Sequence, residues 1–123
     1  MAFVLTTQIY PQTTGPIVST PNVIILDNDT GGDIIDTISY TLAYSMKWLV
    51  TIIDVTNNKA RFLEVSAIHR NGISVMHNIF GDVGDRIHVL INVILNGPNV
   101  ELILTNNSGS TLHVNTVRIN TLI

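Results

Sequence analysis

The chain has 123 residues, no cysteine and a formal net charge of −3 from six basic and nine acidic residues. This length suits one domain with a real core, and the missing cysteines exclude disulfides, zinc–thiolate sites and thiol nucleophiles. Only 12% of the residues are charged and 46% are hydrophobic, whereas about 25% are charged in an ordinary soluble domain. We therefore expect more apolar surface than one small monomer hides, and hence an oligomer or a docked subunit.

The charge and hydropathy patterns argue against nucleic-acid and membrane partners. The longest apolar runs are far shorter than the roughly 18 residues that span a bilayer, and the N-terminus lacks the basic start and apolar segment of a signal peptide. Nucleic-acid binding depends on clustered basic side chains. The six basic residues of this chain are scattered: Lys47, Lys59, Arg61, Arg70, Arg86 and Arg118.

The first 22 residues differ in composition from the rest, because Pro11, Pro16 and Pro21 remove backbone donors and favour extended or turn conformations. We interpret residues 1–22 as an extended N-terminal arm and residues 23–123 as the domain. The arm opens with apolar residues suited to forming a strand on a neighbour's sheet edge. The alternative is a first strand and loop that dock on their own domain. The predicted partner-binding residues are Phe3, Val4, Leu5, Ile9 and Tyr10.

Short strands are predicted along most of the domain, because β-branched residues dominate and turn residues recur at strand-length intervals. Asn71-Gly72 between two strand-like runs is the strongest hairpin signal. The residues from 33 to 49 come closest to a helical pattern but do not hold its period. The predicted strands are Val23–Asp27, Trp48–Val55, Ala60–Ile68, Ile73–Ile79, Arg86–Leu95, Val100–Thr105 and Leu112–Ile119, and Phe80–Asp85 is predicted to be a loop.

This pattern predicts an all-β fold, a single antiparallel β-sandwich or jelly-roll-like domain of seven or eight strands. Clean alternation places Val100, Leu102 and Leu104 on one buried face and Leu112 and Val114 on another.

The best candidate for a metal site is the loop from Asp27 to Asp33, where oxygen side chains alternate with glycines as in calcium loops. Ile38 stands where the bidentate Glu of the 12-residue calcium loop belongs, so we favour an ordinary turn and predict no metal or cofactor. The alternative is a looser calcium site completed by Asp36 or by backbone carbonyls. The four histidines show no short ligand spacing: they are His69, His77, His88 and His113.

Catalytic motifs are not evident in the sequence. There is no nucleophile motif, the Gly81–Gly84 segment has neither the Lys nor the following helix of a phosphate loop, and Asp82 and Asp85 are typical turn formers. We therefore predict no enzyme and no catalytic residues. Tyr40 and Tyr44 are candidates for stacking on sugars, which leaves a glycan-binding module as an alternative.

Five segments of the chain share a pattern with a known family: Ile35-Asp36-Thr37-Ile38, Ser45-Met46-Lys47-Trp48-Leu49-Val50-Thr51-Ile52, the run from Phe62 to Gly72, Asn99-Val100-Glu101-Leu102-Ile103-Leu104-Thr105 and Val117-Arg118-Ile119-Asn120-Thr121-Leu122-Ile123. These segments resemble a small β-domain of structural proteins in tailed bacteriophages, particularly phages of cyanobacteria. The resemblance covers about the last ninety residues and departs from the usual form between Ile73 and Asp85.

This resemblance implies a non-enzymatic virion protein that binds other virion proteins, in the capsid or the tail. A small capsid decoration or cement protein is the favoured role, and a tail, neck or fibre component is the alternative. A homo-oligomer is expected, with a trimer favoured.

Overall fold

Strands cover most of the computed structural model, which describes residues 17–19, 23–25 and 32–121. This agrees with the abundance of β-branched residues. The part of the chain that the structure describes contains no helix long and apolar enough to cross a membrane. Its strands are β1 (Ile17–Ser19), β2 (Val23–Ile25), β3 (Asp33–Ser39), β4 (Ser45–Asp54), β5 (Lys59–Arg70), β6 (Ser74–Gly84), β7 (Val89–Asn96), β8 (Asn99–Asn106) and β9 (Leu112–Asn120).

These strands form two antiparallel sheets, so the predicted all-β sandwich is confirmed. The larger sheet has the order β1–β9–β4–β5–β6, and β2 pairs with a second stretch of β9. The smaller sheet has the order β3–β8–β7. Two hairpins build most of the larger sheet (β4–β5–β6) and one builds most of the smaller sheet (β7–β8), while the chain crosses between the sheets after β2, β3, β6 and β8.

Alternate residues from the facing strands fill the core between the two sheets. Trp48 on β4 is fully buried. The predicted inner faces of β8 and β9 are confirmed, because every one of their apolar members is buried. These residues are Val100, Leu102, Leu104, Leu112 and Val114.

The predicted Asn71-Gly72 hairpin joins β5 to β6. Asn71 has a φ of 49° and Gly72 a φ of 70°, which are the positive values that both central positions of a type I′ turn require. The N–H of Ile73 closes the turn by donating to the Arg70 carbonyl at 2.9 Å. A side chain at Gly72 would collide with the Tyr40 ring, so glycine is needed here for space as well as for conformation.

The strand prediction differs from the structure most clearly at β6 and β3, and the strand predicted from Arg86 begins at Val89. The loop predicted at Phe80–Asp85 is wrong, because β6 continues to Gly84. A β-bulge at Gly81 shifts the register between β5 and β6. The bulge has a positive φ of 48°, and the glycine that permits this angle is the residue that indicated a loop in the sequence. The strand β3 was not predicted, because a second bulge near Ile35 breaks its alternation.

Part of the predicted arm lies in the larger sheet of its own chain. Residues Ile17–Ser19 pair with Val117–Ile119 of β9. The predicted partner-binding residues, Phe3, Val4, Leu5, Ile9 and Tyr10, lie outside the described residues. The predicted boundary between the arm and the domain at residue 22 is not tested by these residues and stays a prediction.

A buried polar network joins the two sheets through Asp36 on β3. Its Oδ2 accepts hydrogen bonds from Trp48 Nε1 on β4 and from Arg118 Nη1 on β9, both at 2.7 Å. Arg118 also donates to the Thr37 carbonyl and to the Asn120 side chain. The side chains of Arg118 and Asp36 are only 4% and 7% exposed, so this ion pair is shielded from water and its loss should be costly.

Two carboxylates at the other end of the sandwich predict a loss of stability in acid. The pKa of Asp54 lies below its ordinary value of 3.8, mainly because the Asn57 side chain donates a hydrogen bond to it. The pKa of Asp82 is lowered mainly by its hydrogen bonds from Arg61. A carboxyl group whose pKa is lowered on folding contributes stability above its ordinary pKa and loses that contribution as the pH falls through the lowered value.

We therefore expect the urea midpoint to fall as the pH drops from 7 to 2. Asp82→Asn should have a lower midpoint at pH 7 and should lose less of it on acidification, because the variant lacks one of the titrating groups. An equal loss in both proteins would show that Asp82 does not contribute to the acid sensitivity.

Candidate interaction surface

The outer face of the larger sheet is built by strands that are apolar on both sides. In β4 the residues Trp48 and Val50 point into the core, while Leu49 and Ile53 between and after them point outward. In β5 the buried core residues alternate with residues that point outward, such as Phe62. A run that is apolar on both faces is typical of strands covered on both sides, yet within the described residues nothing lies over this outer face.

The register places the outward apolar side chains of neighbouring strands side by side. Leu49 pairs with Val117, and Phe62 pairs with Val83. Leu49 and Phe62 are diagonal neighbours across β4 and β5. We call this set the apolar outer face: Leu49, Ile53, Phe62, Ile68, Met76, Phe80, Val83, Val117 and Ile119.

Several members of the apolar outer face are strongly exposed. Phe80 is 54% and Val83 is 65% exposed. The Lys47–Glu64 ion pair, at 2.7 Å, lies within the face, next to Leu49 and Phe80 in the register. Exposed apolar side chains that form a contiguous patch with polar neighbours mark protein interaction sites. This face is therefore the strongest candidate for binding another protein chain.

The edge strand β6 is exposed on both of its sides. Its outward apolar residues belong to the apolar outer face, and its inward residues His77, Ile79 and Asp82 are also exposed. The physical reason is that the smaller sheet has three strands and is too narrow to cover β6. Within the described residues, no strand pairs with the outer edge of β6, so this edge presents backbone N–H and C=O groups for pairing.

The smaller sheet also presents apolar side chains on its outer surface. Ile34 on β3 and Leu90 on β7 are exposed, and Ile94 and Ile103 are half-buried. These side chains lie on three strands, whereas the apolar outer face spans four. The larger sheet therefore offers the more extensive binding surface.

Tyr40 and Tyr44, predicted as candidates for stacking on sugars, lie together in the structure. They line one cavity of about 240 Å³ with Thr41, His69 and Asn71. Tyr44 is 47% exposed, and the centres of the Tyr44 and His69 rings are 5.3 Å apart. His69 is fixed from both nitrogens, since Nδ1 accepts from the Gly72 N–H and Nε2 donates to the Ala43 carbonyl.

The other predicted candidate residues do not converge on one site. Most of the Asp27–Asp33 loop lies outside the described residues. Asp82 binds Arg61 through two hydrogen bonds of 2.9 and 2.8 Å, and Asp85 accepts from the Ala60 N–H. The described ranges contain no group of three or more residues able to hold a metal ion. His77, His88 and His113 are exposed at separate positions.

The composition predicted more apolar surface than a small monomer hides, but it did not indicate where on the fold this surface lies. The available signal was the unbroken apolar character around Trp48-Leu49-Val50 and Ile52-Ile53, which leaves an apolar side chain on each face of β4. The missing information was which strands the smaller sheet covers, and this depends on long-range pairing.

Comparison with known proteins finds similarity among solved structures. No family model matches the chain, and no curated protein matches it. The fold is similar to part of the crystal structure of the tailspike protein of Acinetobacter phage vB_ApiP_P1, with a TM-score of 0.56 and 13% sequence identity. The similarity covers 98% of this chain and 25% of the tailspike chain. This chain therefore shares its fold with about a quarter of that tailspike.

Proposed function

We propose that this chain is a non-enzymatic structural protein of a phage particle that acts by binding other protein chains of the tail. The observation that carries the proposal is the apolar outer face, together with the edge strand β6, which the smaller sheet does not cover. Phe80 and Val83 are mostly exposed although they belong to a contiguous apolar set. Covering such a set with a partner is favourable by roughly 25 cal/mol for each Å² of apolar surface removed from water.

The assignment to a phage particle is supported by two independent likenesses. One is the sequence resemblance to the β-domain of phage structural proteins, and the other is the fold similarity to part of a tailspike. The tailspike similarity favours the tail over the capsid decoration role that the sequence resemblance suggested. The described residues offer no feature that favours the capsid.

The proposal is tested on purified particles of the phage whose genome carries this sequence. Tails and capsids are separated, and mass spectrometry is used to find the chain in each fraction. We expect it in the tail fraction. Its presence in capsids alone would support decoration and contradict the tail role, and its absence from particles would contradict a structural role altogether.

A variant pair links particle incorporation to the apolar outer face. Phe80→Lys should reduce incorporation when the variant is supplied during infection, because a charge is placed among the contacting side chains. Val55→Lys is the matched control, since Val55 is 66% exposed but lies in the turn after β4, outside the face. Equal incorporation of both variants would show that the face makes no contact in the particle.

Glycan binding is a second candidate function, favoured by the cavity between Tyr40 and Tyr44. Aromatic rings beside hydrogen-bonding groups such as Asn71 are suited to stacking on sugar rings. A glycan array probed with the purified chain tests this candidate. Tyr44→Ala should abolish any binding, and Phe80→Ala on the other surface should not. If the purified chain binds no glycan on the array, glycan binding is excluded as its function.

A further inference from the structure

We infer that β6 is the acceptor for the N-terminal arm of a second copy of this chain, so that residues 3–10 of one copy add a strand to the larger sheet of the next. This inference rests on the proposed association function and names the partner and the contact. Strand addition to an exposed sheet edge is a common mode of protein association.

The acceptor side follows from the structure of β6. From Ser74 to Phe80 the strand pairs regularly with β5, before the bulge at Gly81. This gives a straight edge of seven residues, long enough for a strand of similar length. An added strand would also cover exposed apolar side chains on both sides of β6, including Ile79 on the inner side and Met76 on the outer side.

The donor side follows from the sequence of residues 3–10. The eight residues Phe3-Val4-Leu5-Thr6-Thr7-Gln8-Ile9-Tyr10 contain no proline or glycine, so a strand is permitted throughout. If this segment is extended, Phe3, Leu5 and Ile9 share one face. That face matches the inner side of β6, where Ile79 is uncovered because the smaller sheet ends at β7.

Chain length favours a second copy over the same chain. Residues 3–10 precede β1 in the chain, and β1 is at the opposite edge of the larger sheet from β6. A strand added to β6 would be five strand spacings away, or about 24 Å in a straight line through the sheet. The seven Cα steps from Ile17 to Tyr10 span at most about 25 Å, and a path around the sheet is longer than the straight line.

The geometry also predicts how copies are arranged. Each copy would donate from its β1 edge and accept on its β6 edge, which is a head-to-tail contact. Such a contact closes into a ring when the rotation between copies permits. A three-membered ring fits the trimer expected from the sequence.

Disulfide trapping in the full chain tests the inference, and the absence of native cysteine makes the readout clean. In an extended arm Thr6 would be on the opposite face from Leu5, and Asn78 is an exposed outward residue of β6. We expect the Thr6→Cys, Asn78→Cys double variant to form links between chains on mild oxidation, seen as multiples of the chain mass on denaturing gels.

The matched control is the Thr6→Cys, Asn115→Cys double variant, because Asn115 is an exposed outward residue of β9 in the same sheet. It should remain largely unlinked. Equal linking in both variants, links within one chain, or no link with Asn78 would each overturn the inference. An oligomer that forms without the Asn78 link would contradict the arm contact but not the proposed function. Absence of the chain from phage particles would contradict the proposed function.

Discussion

Arg118→Met should destabilise the fold by about 3–5 kcal/mol, because it leaves the Asp36 carboxylate buried without its cationic partner. Only the Trp48 N–H would still donate to that oxygen. Urea unfolding at pH 7 and a fixed protein concentration measures the effect, since the apparent stability of an oligomer depends on concentration.

Two further variants show whether burial is the reason for this loss. Lys47→Met breaks the Lys47–Glu64 ion pair, in which Lys47 is 46% exposed, and should cost less than about 1 kcal/mol. The Asp36→Leu, Arg118→Met double variant removes both buried charges and should be more stable than Arg118→Met alone. If Arg118→Met and Lys47→Met cost the same, the network does not hold the two sheets together.

Phe80→Lys should weaken self-association at least about 30-fold, which corresponds to about 2 kcal/mol and is typical of a central interface residue. Phe80 lies on the outer side of β6, beside the edge that would receive the arm. Lysine is chosen because Glu64 is directly opposite on β5, so the new charge has a favourable neighbour and the monomer should keep its stability.

Sedimentation equilibrium gives the dissociation constant for this comparison. Val55→Lys should leave the constant within about twofold of the native value, because Val55 is in the β4–β5 turn. A Phe80→Lys variant that associates as tightly as the native chain would exclude the apolar outer face from the contact between copies.

The sequence predicted those parts of the fold that depend on local patterns. The Asn71-Gly72 turn was found because positive φ at two adjacent positions has a strong local signature. The inner residues of β8 were found because they alternate regularly with the outward ones. The bulges in β3 and β6 interrupt that alternation, and this is why one strand was missed and another was ended too early.

The buried network and the interaction surface could not be predicted, because both depend on pairing between distant segments. Asp36 and Arg118 are 82 positions apart and meet only when β3 packs over β9. Both residues, with Trp48, lie in the segments that carry the resemblance to phage proteins. Similarly, the exposure of β6 follows from the three-strand width of the smaller sheet, which no local pattern encodes.

The native mass of the purified full chain tests the central claim most directly, namely that this fold exists to associate with other chains. Native mass spectrometry and sedimentation over a range of micromolar concentrations would give the number of copies. We predict an assembly of more than one chain, with three copies as the expected number. A mass of one chain, 13.5 kDa, at every concentration would contradict association through the apolar outer face and β6.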